Sequence, residues 1–368
     1  MGAVVYAETF GNPSEVWMWR QVRAVGAPLL THEHRNAATF PYEQAVVVPR
    51  TRTRPDRAVA AARWLVARHG YRLPASTERA VGRKLRELKA TLVHAHYGPA
   101  GLRMLPLPVP LLVTFHGFDT SSLPAADASY RRALRRLFGG VTGVIAVSET
   151  VRERLVRLGC PEDRLHVIPM GVPLRPPRPP AIRDEVRAIT VARLHPVKGV
   201  PDLVDAVTRA RGLGARLTLD IVGEGPERAE VEGRVGGPGG PVRLRGALPP
   251  AEVARLLEES DLFVLNSRTT PEGDAEGLPV SLLEAMERSL PVVATRHGGI
   301  RDAVEDGRTG LLVAERDTDA LAAALVRVAG DPALRERLGA AGRARVEREF
   351  DLERCAARLR QLYDTAAS

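Results

Sequence analysis

Short apolar runs alternate with amphipathic stretches along almost the whole chain. The runs are apolar at consecutive positions rather than at every second one, which is typical of strands covered on both faces of a sheet. Strand–helix alternation of this kind predicts an α/β fold of parallel sheets with right-handed crossovers. The predicted strands are Val4–Ala7, Ala45–Val48, Thr91–His96, Leu111–Thr114, Gly143–Val147, Ala188–Val191, Arg216–Val222, Val242–Leu244, Leu262–Asn266 and Pro291–Ala294. The main predicted helices are Glu78–Leu88, Ser129–Phe138, Glu149–Leu158, Val200–Arg211, Ala251–Ser260 and Pro279–Arg288.

A proline-rich segment divides this pattern into two halves. Five of the eight residues from Pro173 to Pro180 are proline, which has no backbone N–H to donate in a helix or a sheet. The segment therefore predicts a stiff linker. We expect two doubly wound, Rossmann-like domains that face each other across a cleft and bind ligands at the carboxyl ends of their strands. The predicted ranges are 1–172 for the first domain, 173–186 for the linker, 187–348 for the second domain and 349–368 for a closing helix.

Composition narrows the class of protein. Of 368 residues, 44% are hydrophobic and 26% are charged, which excludes disordered and collagen-like chains. Cys160 and Cys355 are the only cysteines, too few for a disulfide framework or a cysteine-based zinc site. The N-terminus lacks the basic and apolar regions of a secretory signal, and no apolar run is long enough to span a bilayer. We therefore expect a cytoplasmic protein, with peripheral contact at the inner face of the membrane as an open alternative.

The net charge of +9 is local. Twelve basic residues and three acidic ones lie between Arg50 and Lys89, so this segment accounts for the whole excess. Three interpretations stay open for it: solvated helices, contact with an anionic membrane surface, and recognition of nucleic acid. Against nucleic acid, the segment has few aromatic residues for base stacking.

The strongest candidate chemistry is the run from Glu276 to Glu284. Pro279 suits the first turn of a helix, so Gly277 and Leu278 would offer backbone N–H groups at a helix N-terminus. A helix N-terminus attracts phosphate through these groups and through its dipole. The two glutamates could then accept hydrogen bonds from sugar hydroxyls on either side. A charge at the helix start plus one solvated glutamate is the simpler alternative.

Arg193 and Lys198 form the second candidate. They follow a predicted strand and precede a helix, so both could reach one anion at a strand end. Only three lysines occur beside fifty arginines, which makes each lysine position informative. Two solvated cations in a loop are the alternative.

Histidines supply the third candidate site. His116 lies just past a buried strand, where it could hydrogen-bond a substrate or carry a proton, although a purely structural histidine is equally consistent. His94 and His96 share one face of a strand, but no third ligand stands at suitable spacing. We therefore predict a packed or hydrogen-bonded pair there, not a metal site.

Two motifs resemble sites of other proteins. Gly223-Glu224-Gly225 follows a strand but lacks the third glycine of a dinucleotide fingerprint. Asp317-Thr318-Asp319 resembles the metal-binding Asp-x-Asp of some sugar transferases, but it precedes a helical stretch and is predicted to cap that helix.

Taken together, these motifs resemble the family 4 retaining glycosyltransferases, which have the two-domain GT-B fold. The motifs that carry the resemblance follow the family's order along the chain: His116-Gly117, Arg193 with Lys198, Gly223-Glu224-Gly225, Glu276 with Glu284, and Gly298-Gly299. The run Gly273–Pro279, with Ser14-Glu15 near the start, is similar to the branch of colanic-acid and exopolysaccharide enzymes. The chain departs from the family in its first loop, where Gly11-Asn-Pro-Ser-Glu15 replaces a Gly-Gly sequence, and at Asn266 and Asp302.

The resemblance implies a role for each matching position. Arg193 and Lys198 would hold the donor diphosphate with help from the backbone of Gly277 and Leu278, and Gly223 and Glu224 belong to the same donor site. Glu276 would contact the transferred sugar, Glu284 the ribose of the nucleotide, and His116 the reacting side of the sugar. Gly11 and Asp119 are assigned to the acceptor side, and the last helix is expected to cross back onto the first domain. No metal and no cofactor are expected, because the arginine and the lysine neutralise the diphosphate.

The predicted activity is transfer of a hexose from a nucleotide diphosphate sugar, UDP-sugar in preference to GDP-sugar, to an acceptor hydroxyl with retention of configuration. The acceptor would be a sugar, a lipid-linked glycan or a natural product. Two alternatives stay open from the residues alone: a basic nucleic-acid-binding protein, and a sugar epimerase or phosphorylase with the GT-B fold.

Overall fold

The computed structural model describes residues 2–50, 71–177, 183–236 and 240–367. Contacts between residues divide the chain into two compact units. The first consists of Met1–Met170 together with Leu352–Ser368, and the second of Gly171–Asp351. No helix among the described residues is long and apolar enough to cross a membrane.

The first unit is built on one parallel sheet. Within its described part, seven strands take the order β3-β2-β1-β4-β5-β6-β7. Every pairing in this sheet is parallel. The strands are β1 Ala3–Phe10, β2 Leu29–His34, β3 Ala45–Val47, β4 Leu92–His96, β5 Leu111–Phe115, β6 Gly143–Ala146 and β7 Leu165–Val167. The helices are Val16–Val25, Ala75–Glu87, Gly98–Met104, Ser122–Ala126, Ala128–Gly140, Glu149–Arg157 and Leu352–Ala367.

The order of the strands locates the binding edge of this sheet. Strands added after β1 run outward in one direction as far as β3, and the chain then returns to place β4 on the other side of β1. Ligands of such folds bind where the order reverses, beyond the carboxyl ends of the central strands. In this unit that place is the edge formed by the ends of β1, β4 and β5.

The helix Leu352–Ala367 completes the core of the first unit. Its residues Ala356, Leu359 and Tyr363 are buried in the same apolar cluster as Val5 and Val22. The Tyr363 hydroxyl lies 2.6 Å from Nδ1 of His94 on β4, so the helix is also joined to the sheet by a buried hydrogen bond. Burial of an apolar helix face supplies most of its stabilisation.

The second unit repeats the design with six strands in its described part. Their order is β10-β9-β8-β11-β12-β13, and every pairing is parallel. The strands are β8 Val186–Val191, β9 Leu217–Val222, β10 Val242–Gly246, β11 Leu262–Leu265, β12 Val292–Thr295 and β13 Leu311–Val313. The helices are Val200–Gly212, Arg228–Val235, Pro250–Glu259, Val280–Glu287, Ile300–Ala303, Thr318–Gly330 and Pro332–Glu349. Here the order reverses between β8 and β11, which places the expected binding edge after those two strands.

The two predicted doubly wound sheets are therefore confirmed, with differences at the level of single elements. The helix Val16–Val25 and the strands β2, β7 and β13 are absent from the prediction. Of the predicted linker, residues 178–182 lie outside the described residues, and β8 begins at Val186. The predicted cap at Asp317 is confirmed, since its Oδ1 accepts the N–H of Ala320 at 2.8 Å.

Candidate functional site

Arg193 and Lys198 lie in the loop that follows β8. Arg193 is exposed, while Lys198 ends a short 3-10 turn, Pro196–Lys198, and is largely covered. The Lys198 Nζ atom lies 2.6 Å from Oε1 of Glu276, which forms an ion pair whose two side chains are only 12% and 13% exposed. The two residues stand far apart in the sequence and meet because β8 and β11 are neighbours in the sheet.

Gly199 and Asn266 hold the two loops together. Gly199 has a φ of +54°, and a Cβ at this position would lie 2.5 Å from the carbonyl oxygen of Asn266. The Asn266 Nδ2 atom donates to the carbonyl of Gly199 at 2.9 Å. Only glycine allows the two backbones to approach this closely. The Asn266 side chain then joins the two loops by its hydrogen bond to Gly199. The family departure at Asn266 thus has a local reason, because this side chain secures the turn that carries Lys198.

The Glu276 carboxylate is ionised and is fixed in place by its ion pair with Lys198. Burial would raise its pKa, but Lys198, His297 and Arg193 together lower the pKa below the usual value of a glutamate. Ser267 Oγ also lies 3.5 Å from Oε1. Glu276 is therefore an ionised acceptor at neutral pH, with one oxygen committed to Lys198.

The loop after Glu276 leads into the helix Val280–Glu287. Gly277 and Leu278 are buried directly before this helix, as the motif predicted. Gly298 and Gly299 pack against them: a Cβ on Gly299 would lie 1.7 Å from the carbonyl oxygen of Gly277. The Gly-Gly pair is thus required by close approach of two backbones.

Glu284 lies within the helix Val280–Glu287, eight residues after Glu276, which precedes the helix. It is partly exposed, whereas its neighbours Leu283 and Ala285 are fully buried. The helix therefore packs its apolar residues inward and leaves Glu284 at the boundary with solvent, where a hydroxyl group could be bound.

Gly223 and Glu224 shape the neighbouring loop after β9. Gly223 has a φ of +146°, and a Cβ there would lie 1.8 Å from the carbonyl oxygen of Ala192. The carbonyl of Glu224 accepts the N–H of Leu194 at 2.9 Å, while its exposed carboxylate pairs with Arg228. The loop therefore supports the backbone on either side of Arg193 through main-chain contacts.

His297 and Glu315 are site residues that the sequence did not suggest. His297 is buried, and its Nε2 accepts the backbone N–H of Glu276 at 3.1 Å. Its Nδ1 lies 2.7 Å from Oε1 of Glu315. Because an amide N–H can only donate, Nε2 is the unprotonated nitrogen and Nδ1 carries the proton. The backbone amide of Thr269 donates to Oε2 of Glu315 at 2.7 Å, so the chain of contacts is anchored at both ends. The one available signal was a histidine directly before Gly298-Gly299.

Replacing His297 with alanine is expected to lower kcat/KM for the nucleotide sugar about tenfold to a hundredfold, because the backbone amide of Glu276 loses its acceptor at a cost of about 1–3 kcal/mol. His297→Gln should recover part of the loss, since its carbonyl can accept the Glu276 N–H. Steady-state kinetics with a nucleotide sugar measure this. His166→Ala, at a partly buried histidine of β7, is the control, and equal losses in both variants would show that His297 has no specific part.

In the first unit, His116 lies at the end of β5 among other rings. The residue as a whole is partly exposed, and its Nε2 lies 3.0 Å from Nδ1 of His96. Burial, with smaller effects from His96 and His94, holds the pKa of His116 well below its usual range. His116 is therefore a neutral imidazole that can give or accept one hydrogen bond.

Asp119 is buried in the short turn that follows His116. The carboxylate is fully buried, and Oδ1 accepts the N–H groups of His116 and Gly117 at 3.0 Å each. Oδ2 accepts the N–H of Gly98, also at 3.0 Å. Burial raises the pKa of this carboxyl to about 6, although the three amides oppose the rise. Asp119 therefore shapes the His116 loop from within, and its assignment to the acceptor side stays a prediction.

Gly11, His94 and His96 are the remaining predicted residues of the first unit. Gly11 has a φ of +85°, and a Cβ there would lie 2.0 Å from the carbonyl oxygen of Arg35, so it allows the first loop to cross the end of β2. His94 is buried, with Nε2 2.6 Å from the Thr114 hydroxyl and Nδ1 on Tyr363. The predicted packed or hydrogen-bonded histidine pair is confirmed as a packed pair, since the ring centres of His94 and His96 lie 4.6 Å apart and the two rings have separate polar partners. Within the described ranges, no three His, Cys, Asp or Glu side chains are grouped to hold a metal ion.

The basic segment 50–89 is described only in part. Residues 51–70 lie outside the described residues, and they carry four of the nine excess positive charges of this segment. The remainder includes the helix Ala75–Glu87, whose Lys84 pairs with Glu87 at 2.6 Å.

Comparisons with known proteins cover both units. Residues 17–175 match the family model described as Glycosyltransferase Family 4, and residues 185–331 match the model described as Glycosyl transferases group 1. The amylovoran biosynthesis glycosyltransferase AmsK of Erwinia amylovora is 33% identical over 71% of this chain and 67% of its own length. A GDP-mannose-dependent alpha-(1-6)-phosphatidylinositol monomannoside mannosyltransferase of Mycobacterium tuberculosis is 32% identical over 68% of each chain.

A solved structure shares the fold over the full chain. HepE of Anabaena, crystallised with UDP and glucose, has a TM-score of 0.80 and 17% identity, and the match covers 99% of this chain and 100% of HepE. The two parallel sheets, the order of the motifs and these matches agree. The chain belongs to glycosyltransferase family 4 and has the GT-B fold.

Proposed function

We propose that this protein transfers a hexose from a nucleotide diphosphate sugar to an acceptor hydroxyl in polysaccharide biosynthesis, with retention of the anomeric configuration. The carrying observation is the Lys198–Glu276 ion pair at the binding edge of the second sheet. It sets a cation and a carboxylate side by side, directly before a helix N-terminus, which is the combination that a sugar diphosphate needs.

Each group has a task in the proposed donor site. Lys198 and the exposed Arg193 neutralise the diphosphate, whose negative charge grows as the bond to the sugar breaks. The N-terminus of the helix Val280–Glu287 adds its dipole to this stabilisation. Glu276 accepts hydrogen bonds from the sugar, and Glu284 from the ribose. Because two side-chain cations and the helix neutralise the diphosphate, we expect turnover to continue in EDTA.

The reaction balances without a separate base. The bond from the anomeric carbon to the diphosphate oxygen breaks, and the acceptor oxygen bonds to that carbon on the same face. The leaving phosphate oxygen takes the proton of the acceptor hydroxyl. A strongly lowered pKa makes His116 a poor base, so its proposed part is to orient a hydroxyl by hydrogen bonding.

One experiment tests both the identity of the donor and the epimerase or phosphorylase alternatives. Purified protein is offered UDP-glucose, UDP-galactose, UDP-N-acetylglucosamine and GDP-mannose, each with a panel of methyl pyranosides. Release of UDP or GDP is measured, and NMR gives the anomeric configuration of the product. The first arm holds UDP-sugars, which the sequence favoured; GDP-mannose is included because of the mannosyltransferase relative.

We expect nucleotide release that depends on an acceptor and a product of retained configuration. Formation of a free epimerised sugar or a sugar 1-phosphate would favour the epimerase or phosphorylase alternative. An inverted product would reject the retaining mechanism, and failure of every nucleotide to bind, measured by calorimetry, would reject the donor site itself.

A further inference from the structure

Four aromatic rings meet at the binding edge of the first sheet. Trp17 is on the helix after β1, Tyr97 follows β4, and His116 and Phe118 follow β5. The ring centre of His116 is 4.5 Å from that of Trp17 and 4.5 Å from that of Tyr97. Phe118 extends the group, with its ring centre 5.4 Å from that of Tyr97. The rings thus form one continuous aromatic cluster.

This aromatic cluster, Trp17, Tyr97, His116 and Phe118, is not sealed in the core. Trp17, Tyr97 and His116 are partly exposed, and Phe118 is 45% exposed. The large aromatic side chains of the core, such as Phe10 and Phe115, are fully buried. Adjacent rings that face solvent at a strand-end edge are typical of a binding surface.

The backbone of Tyr97 adds an independent sign of function. Tyr97 has a φ of +74° and a ψ of 142°, a region that non-glycine residues rarely adopt. Its N–H donates to the carbonyl of Thr114 at 2.8 Å, and its hydroxyl donates to Oε1 of Glu15 at 2.8 Å. Strain of this kind persists where the surroundings hold a residue for a task. Here it brings the Tyr97 ring against His116.

A carboxylate borders the rings. Glu15 accepts the Tyr97 hydroxyl on one oxygen and the Asn12 Nδ2 on the other, at 2.7 Å. Each carboxylate oxygen has further lone-pair capacity, so Glu15 can also accept hydrogen bonds from a ligand. Ring faces beside a fixed carboxylate match a pyranose, which has an apolar C–H face and hydroxyl groups at its edge.

We propose that the aromatic cluster is the acceptor subsite and that it binds a pyranose ring by stacking, with Glu15 accepting a sugar hydroxyl. This inference rests on the proposed glycosyl transfer and names its acceptor class. A lipid surface is the competing occupant of exposed aromatic rings. The Glu15 carboxylate opposes it, because anionic membranes repel a negative charge at the point of contact.

The test uses methyl α-D-glucopyranoside, methyl β-D-galactopyranoside and methyl α-D-mannopyranoside as probes. Saturation-transfer NMR reports binding of these pyranosides to the protein, a titration gives Kd, and the ring variants locate the contact. We expect at least one pyranoside to receive saturation. Trp17→Ala and Phe118→Ala should each weaken its binding about tenfold, the loss of one aromatic contact. Trp17→Phe should keep most of the affinity.

Trp19 supplies the matched control. It is two residues along the same helix, but its Nε1 donates to the Pro41 carbonyl at 3.0 Å and its ring packs against Phe40. Trp19→Ala should therefore leave pyranoside binding unchanged. Should Trp17→Ala fail to fold, the exposed Phe118→Ala still decides the matter.

Nucleotide binding separates this inference from the proposed function. Calorimetry with UDP and GDP should give the same Kd in all four variants, because the donor groups lie in the second unit. Nucleotide binding without saturation of any pyranoside would overturn the acceptor subsite and leave the donor site standing. Vesicles of phosphatidylglycerol and phosphatidylethanolamine form the last arm. Binding to vesicles that Phe118→Ala abolishes, with no pyranoside effect, would overturn the subsite in favour of a lipid contact.

Discussion

Lys198→Ala is expected to lower kcat about a hundredfold or more, since loss of one preorganised charge at a developing anion costs about 2.7–4 kcal/mol. Its ammonium is nearly covered and lies 2.6 Å from Glu276, and any water that fills the space in the variant brings no positive charge. Steady-state kinetics with the preferred nucleotide sugar measure the loss. Lys84→Ala, at a lysine of the first unit paired with Glu87, is the matched control and should turn over normally.

The pH profile of Lys198→Ala is expected to change as well, because Lys198 affects the ionisation of Glu276. In the native protein the pKa of Glu276 is lowered, so its carboxylate stays ionised until the pH falls below the usual range of about 4.3. Without Lys198, the largest effects that oppose the influence of burial are lost, and the pKa of Glu276 rises. The acid limb of the residual activity should therefore move to higher pH. Near-normal turnover, or an unmoved limb, would remove Lys198 from the donor site.

Glu276→Gln should lower kcat about tenfold to a hundredfold, because hydrogen bonds to a charged group contribute about 1.5–3 kcal/mol. Glutamine keeps the shape of the side chain but gives Lys198 no counter-charge, and it accepts weaker hydrogen bonds from the sugar. The control is Glu272→Gln, an exposed glutamate in the same loop, which should leave kcat unchanged. Equal effects at the two positions would contradict the assignment.

The double variant Lys198→Ala/Glu276→Gln tests whether the pair acts as a unit. Residues in direct contact show interaction energies of about 0.5–3 kcal/mol in a double-mutant cycle. The combined loss in kcat should therefore be smaller than the product of the two single losses. Independent losses that multiply would mean that the ion pair has no part in donor binding.

The elements that the sequence predicted share one physical property. Strands such as β8 and β11 are buried on both faces, so their residues are apolar in unbroken runs. The apolar pattern did not predict the strand β2, because its sequence Leu-Leu-Thr-His-Glu-His ends in polar residues, of which the last two are not buried. The helix Val16–Val25 has no side-chain cap at Glu15 and two tryptophans, so its local helical preference is weak and packing on the sheet decides it.

In the candidate site, too, the sequence indicated residue types, and the fold decided which of them are in contact. Motif spacing identified Arg193, Lys198 and Glu276 as residue types able to bind a sugar diphosphate, but the meeting of Lys198 and Glu276 comes from the order of strands. Asp119 was assigned to the acceptor side, and only the structure shows that its buried carboxylate accepts the backbone N–H groups of the His116 loop. His297 looked unremarkable, because a lone histidine has no meaning in sequence until its two nitrogens have partners.

By itself the sequence determined the α/β class, the two sheets and the chemical types at the proposed donor site, because periodicity and turn residues are local properties. The tertiary structure decided which groups form pairs, which carboxylate is buried and which aromatic rings stay exposed. These depend on strands that pair across long sequence separations and on the burial that follows. The contacts of Glu15, Tyr97 and His116 at one edge, and of Lys198, Glu276 and His297 at another, exist only in the folded chain.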